Sequence, residues 1–321
     1  MTGQSARDHG GDLGAAIARF GPGDWLDLST GINPVPYPLP ALSADAWTRL
    51  PDTPAAAACG AAARATLAVP DTAALTLAPG ASALIRALPR LAQGRRVAIP
   101  GPTYNEHAAA FRAEGWQVED RPGPGTAACV IVNPNNPTGR GWERHELRFL
   151  AEAIPLLIVD ESFMDLTPER SLIPDCGAEG VVVLRSFGKF WGLAGLRLGF
   201  AISGPRMAAR LADALGPWPV AGPALAIGAA ALADTAWAKA SRKRIAADAQ
   251  RLTRLAEGAG WRAVGGAGLF TTFDTPDAAA AQTRLAQAHI WSRIFPYSPR
   301  WLRLGLPGRE ADWTRLATAL A

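Results

Sequence analysis

The sequence predicts an α/β fold built on a large, mostly parallel β-sheet that helices cover on both faces. Short apolar runs recur between about residues 75 and 205, at 95–99, 129–133, 156–160, 181–185 and 198–202. The stretches between them, such as 82–93 and 143–153, show helical patterns and are long enough for crossover helices. Near-continuous apolar strands are typical of parallel sheets buried on both faces, and such sheets bind their ligands at the carboxyl ends of the strands.

The character of the chain changes after Trp218-Pro219, which predicts a second, smaller α+β domain. The expected elements are a long helix, a second helix, two short strands and a final helix, at about 236–259, 277–289, 290–294, 301–306 and from 309 onward. The first 40 residues are rich in Gly and Pro, which favours an arm over a domain. The predicted organisation is an arm over 1–40 that contributes to the small domain and the site, a large domain over 41–218, and a small domain over 219–321.

The composition excludes several classes of protein. The 321 residues are 49% hydrophobic, and the net charge of +4 comes from arginines that are spread among acids rather than clustered, so we expect no nucleic-acid surface. The longest apolar run, about 220–233, is too short and too rich in Ala and Gly to span a membrane, and the N-terminus has no apolar signal core. Cys59, Cys129 and Cys176 have no metal-ligand spacing, which predicts a cytoplasmic protein without disulfides or a metal site.

Lys189 is the first candidate for chemistry. It is one of three lysines in a chain that otherwise uses Arg at basic positions, and it lies in Ser186-Phe-Gly-Lys189. Arginine keeps its proton at any useful pH, whereas a lysine amine can act as a nucleophile or form a Schiff base. Lys239 and Lys243 fall in an Arg-rich helical stretch and are predicted to be solvated. Gly188-Lys189 is not a P-loop, because Phe190 stands where a Ser or Thr is required.

Two polar positions follow predicted strands of the large domain. Asn136, in Asn133-Pro-Asn-Asn-Pro-Thr-Gly139, either belongs to a simple turn or contacts a ligand. Asp160 ends the strand Leu156-Leu-Ile-Val-Asp160, where a carboxylate is either structural or holds a proton on a ring nitrogen.

A third candidate is the start of a predicted helix at Gly80-Ala81-Ser82. Ser82 is either an ordinary N-cap or part of an anion site, because a Gly-led turn into a helix presents free amides and a dipole to an anion. Ser186 and Arg197 are predicted to complete such a phosphate site.

Together these motifs, in this order, resemble the class I and II aminotransferases, the fold-type I enzymes that depend on pyridoxal phosphate. The set includes Tyr104 in Pro-Gly-Pro-Thr-Tyr104 and covers nearly the whole chain. The resemblance implies a seven-stranded sheet and a homodimer. It implies that Lys189 forms the Schiff base with pyridoxal 5'-phosphate, Asp160 pairs with the pyridine nitrogen, Asn136 bonds the phenolic oxygen and Tyr104 stacks on the ring. It further assigns the cofactor phosphate to Gly80, Ala81, Ser82, Ser186 and Arg197.

Within the family, the chain is similar to the threonine-phosphate decarboxylases of cobalamin biosynthesis, themselves similar to histidinol-phosphate aminotransferases. This second resemblance rests on His9-Gly-Gly, on 26–34 and 217–220, and on the C-terminal arginines. It implies a phosphorylated amino acid, L-threonine O-3-phosphate, as substrate, with Arg303 on its carboxylate and His9, Asn33 and Arg293 or Arg300 on its phosphate. An aminotransferase acting on histidinol phosphate or another amino acid is the alternative, because the cofactor residues are shared.

Two positions depart from the family pattern. Phe163 stands where many members have a Tyr that donates to the phenolic oxygen of the cofactor, and Leu50 stands where a Tyr often reaches the cofactor phosphate of the partner subunit. The first change removes a hydrogen bond that would lower the pKa of the Schiff base at Lys189, so we expect the cofactor to hold its proton more tightly. The second change calls into question the usual contact between subunits at Leu50, but not the dimer itself.

Overall fold

A computed structural model describes residues 9–321 of the chain, which folds into two compact units. The larger unit is Pro36–Ser241, and the smaller one joins the described residues up to Val35 with Arg242–Ala321. Residues 219–241, which the sequence analysis assigns to the small domain, lie in the larger unit.

A seven-stranded sheet forms the centre of the larger unit. In chain order its strands are β2 (Ala74–Ala78), β3 (Arg96–Ala98), β4 (Gln117–Glu119), β5 (Ala128–Val132), β6 (Leu156–Asp160), β7 (Val181–Ser186) and β8 (Gly199–Ser203). They are arranged in the order β2-β8-β7-β6-β5-β3-β4, and only β8 runs antiparallel to its neighbours. The predicted mostly parallel sheet is therefore confirmed.

The two strands that the apolar pattern does not predict, β2 and β4, are the edges of this sheet. An edge strand has only one neighbour and meets solvent more often, so its sequence needs fewer apolar residues. The β4 segment, Gln117-Val-Glu119, shows this most clearly, since none of its residues is buried.

Helices cover both faces of the sheet. Those of the larger unit are α2 (Asp45–Thr48), α3 (Thr53–Thr66), α4 (Ala81–Leu91), α5 (Asn105–Ala113), α6 (Arg144–Ala153), α7 (Phe187–Phe190), α8 (Pro205–Leu215) and α9 (Gly222–Ala233), followed by α10 (Thr235–Gly258), which crosses the boundary at residue 242. On one face, α4, α5 and α8 pack on the alternate strand residues Val130, Ile158 and Leu184. The residues that point to the other face, such as Ile131 and Val159, are buried as well. Among the described residues, no helix is both long and apolar enough to cross a membrane.

The smaller unit contains two short sheets. Its strands are β1 (Leu26–Asp27), β9 (Arg262–Gly266), β10 (Phe270–Asp274), β11 (Ile290–Trp291), β12 (Arg293–Phe295) and β13 (Ser298–Gly305), and its other helices are α1 (Leu13–Phe20), α11 (Ala278–Gln287) and α12 (Glu310–Leu320). The first sheet is antiparallel, in the order β12-β13-β10-β9, and the second pairs β1 with β11 in parallel. This matches the α+β character expected after residue 218.

Aromatic packing holds the short helix α7 in place. The buried Trp191 ring stacks on Phe187 at a centroid distance of 5.5 Å and on Trp237 at 5.2 Å. Phe190 meets Trp191 edge to face at 5.2 Å. Because four packed rings surround the turn that follows β7, the Lys189 backbone has little freedom.

A buried ionic network lies next to the carboxyl ends of β6 and β7. Arg185 donates to Asp165 at 2.7 Å and to Glu161 at 3.3 Å, and Glu161 also accepts from Ser171 Oγ at 2.6 Å and from the Leu172 amide at 2.7 Å. Burial raises the pKa of Glu161 above its usual range despite these donors. The network thus links Glu161, which follows Asp160, to Arg185, which precedes Ser186.

This network generates a stability prediction. Arg185→Met removes the cation that two buried carboxylates share, so we expect the free energy of unfolding to fall by about 3–5 kcal/mol, measured by urea denaturation. The matched control is Arg206→Met, because the Arg206 side chain is 82% exposed and lies 3.5 Å from Glu179. That change should cost about 1 kcal/mol or less. Equal losses for the two variants would contradict the role given to Arg185.

Candidate active site

A cavity opens at the carboxyl ends of three neighbouring central strands. Val132, Asp160 and Ser186 end β5, β6 and β7, and each faces the side of the sheet on which α4 and α5 pack, because they continue the alternation of Val130, Ile158 and Leu184. The cavity is lined by these three residues and by Ala81, Ser82, Ile85, Tyr104, Asn136, Ser162, Phe163, Lys189 and Arg197. Eight residues that the sequence analysis singles out for the cofactor therefore line one cavity.

A larger groove of about 830 Å³ lies elsewhere in the larger unit, between α3 and α8. Among the described residues that line it, the ionisable ones are Asp52 and Arg64. Asp52 caps α3 by accepting from the Ala55 amide, and Arg64 donates to the Ala73 and Pro70 carbonyls. Both side chains bond to the nearby backbone, so the groove lacks the reactive groups found in the cavity at the carboxyl ends of β5, β6 and β7.

Lys189 contributes an amine to the cavity from α7. Its Nζ lies 5.9 Å from the centroid of the Phe163 ring, and Phe163 is itself buried. The amine thus lies against an aromatic face in a half-buried position. Phe163 lines the cavity but has no hydroxyl, so it cannot donate the hydrogen bond that a Tyr at this position would give to a ligand.

Asp160 contributes a buried carboxylate. Its Oδ2 lies 2.8 Å from His107 Nε2, and its Oδ1 accepts from the Ser162 amide at 3.0 Å and from Ser162 Oγ at 2.5 Å. Burial alone would raise the pKa of Asp160, but the hydrogen bond and charge of His107, with the two bonds from Ser162, hold that pKa below its usual value. Asp160 is therefore an anion, and His107 Nε2 is the donor in their hydrogen bond.

An anion-binding cup forms where α4 begins. Gly80 is the N-cap of α4, with φ of 82° and no side-chain cap, so the amides of the first turn point outward. A Cβ on Gly80 would lie 2.5 Å from Arg197 Nη2, so glycine allows the guanidinium to lie against the helix start. A Cβ on Gly199 would likewise lie 2.5 Å from the Ala81 nitrogen. Ser82 lies in the first turn and is not the N-cap, which removes the simple capping interpretation.

The turn that carries Asn136 is held by its neighbours. Asn133 Oδ1 accepts from the Trp142 amide at 2.9 Å, and Asn135 Nδ2 donates to the Pro102 carbonyl at 3.0 Å and to Thr138 Oγ1 at 2.7 Å. Asn136 lies between them and lines the cavity. The turn and ligand interpretations of this segment are therefore compatible.

His107 and Ser162 are site residues that the sequence analysis misses. His107 lies three residues after Tyr104 on α5, and the two rings meet edge to face at 6.0 Å. The i, i+3 spacing from Tyr104 is the signal that would have drawn attention to His107. Its partner could not be inferred, because contact with Asp160 depends on how α5 packs on the sheet. Ser162 follows Asp160 by two residues, a spacing typical of a local turn hydrogen bond.

The proposed substrate residues lie in the smaller unit. Arg293 and Arg303 are direct cross-strand partners in β12 and β13, which places their Cβ atoms within about 4.5–5.5 Å. Arg303 is buried, donates to the Ser29 carbonyl at 2.5 Å, and its guanidinium lies 4.9 Å from the Phe270 ring centroid. His9 is exposed and lines a cavity of this unit together with Arg293 and Ser29.

The other two predicted substrate residues are engaged in hydrogen bonds within the smaller unit. Arg300 donates through Nε and Nη2 to the two oxygens of Asp274, at 2.7 and 3.0 Å, and its side chain is 54% exposed. Buried Asn33 uses Oδ1 to accept from Arg244 at 2.6 Å and from the Val35 amide at 3.1 Å. Arg300 forms a bidentate bond to Asp274 and is not among the residues that line the cavity of His9 and Arg293, so the geometry favours Arg293 over Arg300 for a ligand.

Comparison with known proteins connects this site to a family. The family model described as aminotransferase class I and II matches residues 117–320. Two relatives named threonine-phosphate decarboxylase, from Sinorhizobium sp and Pseudomonas aeruginosa, are 45% and 44% identical over 98% of this chain and 97% of their own length. A crystal structure of histidinol-phosphate aminotransferase from Sinorhizobium meliloti, in complex with pyridoxal-5'-phosphate, matches with a TM-score of 0.82 at 21% identity, covering 98% of this chain and 94% of that one. This structural likeness confirms the fold class.

The anion-binding cup generates a prediction of its own. Gly80→Ala places a Cβ where Arg197 Nη2 lies and adds a side chain at a positive φ, so the guanidinium has to move away from the start of α4. We expect inorganic phosphate to bind about tenfold more weakly, measured by calorimetric titration, because a charge-assisted contact is lost. Gly123→Ala is the control, since a Cβ there meets nothing within 4 Å. Unchanged phosphate affinity in Gly80→Ala would show that the cup is not an anion site.

Proposed function

The chain belongs to the class I and II aminotransferase family, and we propose that it is a decarboxylase that uses pyridoxal phosphate and acts on L-threonine O-3-phosphate. The reaction releases CO2 and leaves (R)-1-amino-2-propanol O-2-phosphate, a step of cobalamin biosynthesis. The observation that carries this proposal is the combination in one cavity of an amine, a buried carboxylate anion and an anion cup. The near-full-length relatives named threonine-phosphate decarboxylase support the choice of reaction.

The cavity residues fit pyridoxal phosphate by their chemistry. The cup at Gly80 and Arg197 suits a phosphate, with Ala81, Ser82 and Ser186 beside it. When bound, this cofactor supplies an aldehyde that condenses with amines and a ring that accepts the electron pair left by a departing carboxylate. Lys189 is the amine that would hold it covalently, and Asn136 and Tyr104 would contact the ring.

Asp160 has the most demanding role among these residues. A buried anion stabilises a proton on a nearby ring nitrogen, because the attraction between opposite charges is stronger away from water. His107 and Ser162 keep Asp160 ionised by bonding its charged form. The charge of Asp160 is therefore in place before any ligand binds.

We propose that the arginines of the smaller unit recognise the two anionic groups of the substrate. Arg303 would bind the α-carboxylate, since a planar guanidinium matches a carboxylate with two parallel hydrogen bonds. Arg293 would bind the substrate phosphate together with His9 and Asn33. Arg300 is the weaker candidate because Asp274 occupies its guanidinium.

We further propose that the protein acts as a homodimer, as the family resemblance implies, and that it is located in the cytoplasm, as its isolated cysteines indicate. Leu50 is 66% exposed, and so are other large apolar side chains of the larger unit, such as Trp47. An exposed apolar residue at 50 is consistent with a partner contact that does not use a tyrosine hydroxyl.

The proposed reaction predicts strong selectivity for a phosphorylated substrate. The protein should release CO2 and the product amine from threonine phosphate without any 2-oxo acid acceptor. For free threonine we expect kcat/KM to be lower by ~10³, since donors built for a phosphate are left unsatisfied. Equal rates with threonine and its phosphate would refute the substrate assignment. Product that forms only with a 2-oxo acid, with histidinol phosphate as donor, would establish an aminotransferase instead.

Two matched arginine variants serve as the control for this selectivity. Arg293→Ala should erode the preference for threonine phosphate over threonine, whereas Arg300→Ala should leave the preference intact, because Arg300 bonds Asp274. The measurement is the rate of CO2 release from threonine phosphate and from threonine for each variant. An Arg300→Ala variant that loses the preference while Arg293→Ala retains it would reverse the assignment.

A further inference from the structure

The hydrogen bonds of Asp160 leave one acceptor position on its carboxylate. A carboxylate has two oxygens with two lone pairs each. Ser162 fills both positions on Oδ1, with its amide at 3.0 Å and its hydroxyl at 2.5 Å, and His107 Nε2 fills one position on Oδ2 at 2.8 Å. Asp160 and Ser162 both line the cavity that contains Lys189. The remaining position is therefore on Oδ2.

We infer that Ser162 is a positioning residue that saturates Oδ1 and so leaves Oδ2 as the acceptor for the ring N–H of a cofactor in this cavity. The inference rests on the proposed function for the identity of the cofactor. It assigns a role to a hydroxyl that does not itself react. It also names the oxygen of Asp160 that a protonated ring nitrogen would meet.

The geometry of the Ser162 hydroxyl supports this role. An O–H donor to an ionised carboxylate forms a hydrogen bond of about 2.5–2.7 Å, roughly twice as strong as a neutral one. The 2.5 Å bond from Ser162 Oγ lies in that range, and both side chains are buried. Without the hydroxyl, Oδ1 would keep only the Ser162 amide, and an acceptor position would open on the wrong oxygen. A ring N–H could then bond to either Oδ1 or Oδ2, and the ring would no longer be held in one position.

Loss of the hydroxyl should also change the acidity of the site. Removing a donor from the charged form raises the pKa of Asp160, so the anion is lost at a higher pH than in the native protein. The charged and titratable groups around this carboxylate are His107 from α5, Tyr104 at the N-cap of α5, Lys189 from α7, and Arg197. None of these is altered by a change at Ser162. The acid limb of cofactor binding should therefore move to higher pH.

The chain offers a matched control in Ser171. Its hydroxyl donates to Glu161 Oε2 at 2.6 Å, and both residues are buried. This bond has the same chemistry as the Ser162 bond and lies in the same stretch of chain, but neither Ser171 nor Glu161 lines the cavity. Ser171→Ala thus reports what the loss of a buried serine-to-carboxylate bond does to stability alone.

The test measures the Kd of pyridoxal 5'-phosphate for the cofactor-free protein by fluorescence titration between pH 3 and 8, with the Tm of each variant. Ser162→Ala should bind about five- to tenfold more weakly at neutral pH, with its acid limb shifted upward. Ser162→Thr keeps a hydroxyl and should restore both values. Ser171→Ala should lower Tm and leave both values unchanged.

Two results would overturn the inference, and they are distinguishable. If native protein binds the cofactor and Ser162→Ala matches it in Kd and in the acid limb, Ser162 has no positioning role and the proposed function stands. If the native protein does not bind pyridoxal 5'-phosphate at any of these pH values, the proposed function fails and the inference fails with it.

Discussion

The arrangement of the site depends on one buried anion, the Asp160 carboxylate at the end of β6. A carboxylate that is 2% exposed is costly unless its charged form is bonded, and three donors from His107 and Ser162 meet that requirement. The sheet brings β6 between β5 and β7, so the charge lies beside Val132 and Leu184, near the carboxyl ends of all three strands. The neighbouring carboxylate, Glu161, is paired with Arg185 instead. The two adjacent carboxylates therefore have different hydrogen-bond partners.

The charged groups of the two units suit ligand groups of different charge. In the larger unit, the start of α4 and Arg197 offer amides and a guanidinium that suit a phosphate, while Asp160 offers a buried negative charge that would stabilise a protonated ring nitrogen. In the smaller unit, Arg293 and Arg303 stand side by side across two strands. Opposing demands of this kind suit a cofactor and substrate that carry several charges. In the proposed reaction the cofactor would supply the chemistry, and the chain would supply orientation and electrostatics.

Much of this could be predicted from sequence, because the central strands are apolar over their whole length and end in conspicuous residues. Lys189 stood out as a rare lysine, and Asp160 as a charge at the end of an apolar run. The edge strand β4 is not predicted, since an edge needs less apolar sequence, whereas β2 is missed although its segment Ala74-Leu-Thr-Leu-Ala78 is apolar. His107 was missed because its partner is 53 residues away and the contact arises from packing between α5 and β6. The choice between Arg293 and Arg300 also required the structure, because only the register of β10 and β13 shows that Asp274 lies within reach of Arg300.

The central claim is that Lys189 is the residue that holds the cofactor, and chemical trapping tests it directly. Borohydride reduction after addition of pyridoxal 5'-phosphate fixes the covalent link, and mass spectrometry of tryptic peptides locates it. We predict a single label on the peptide that follows Arg185 and ends at Arg197, in which Lys189 is the only lysine. A label on Lys239 or Lys243 instead, or no label on any peptide, would contradict the account.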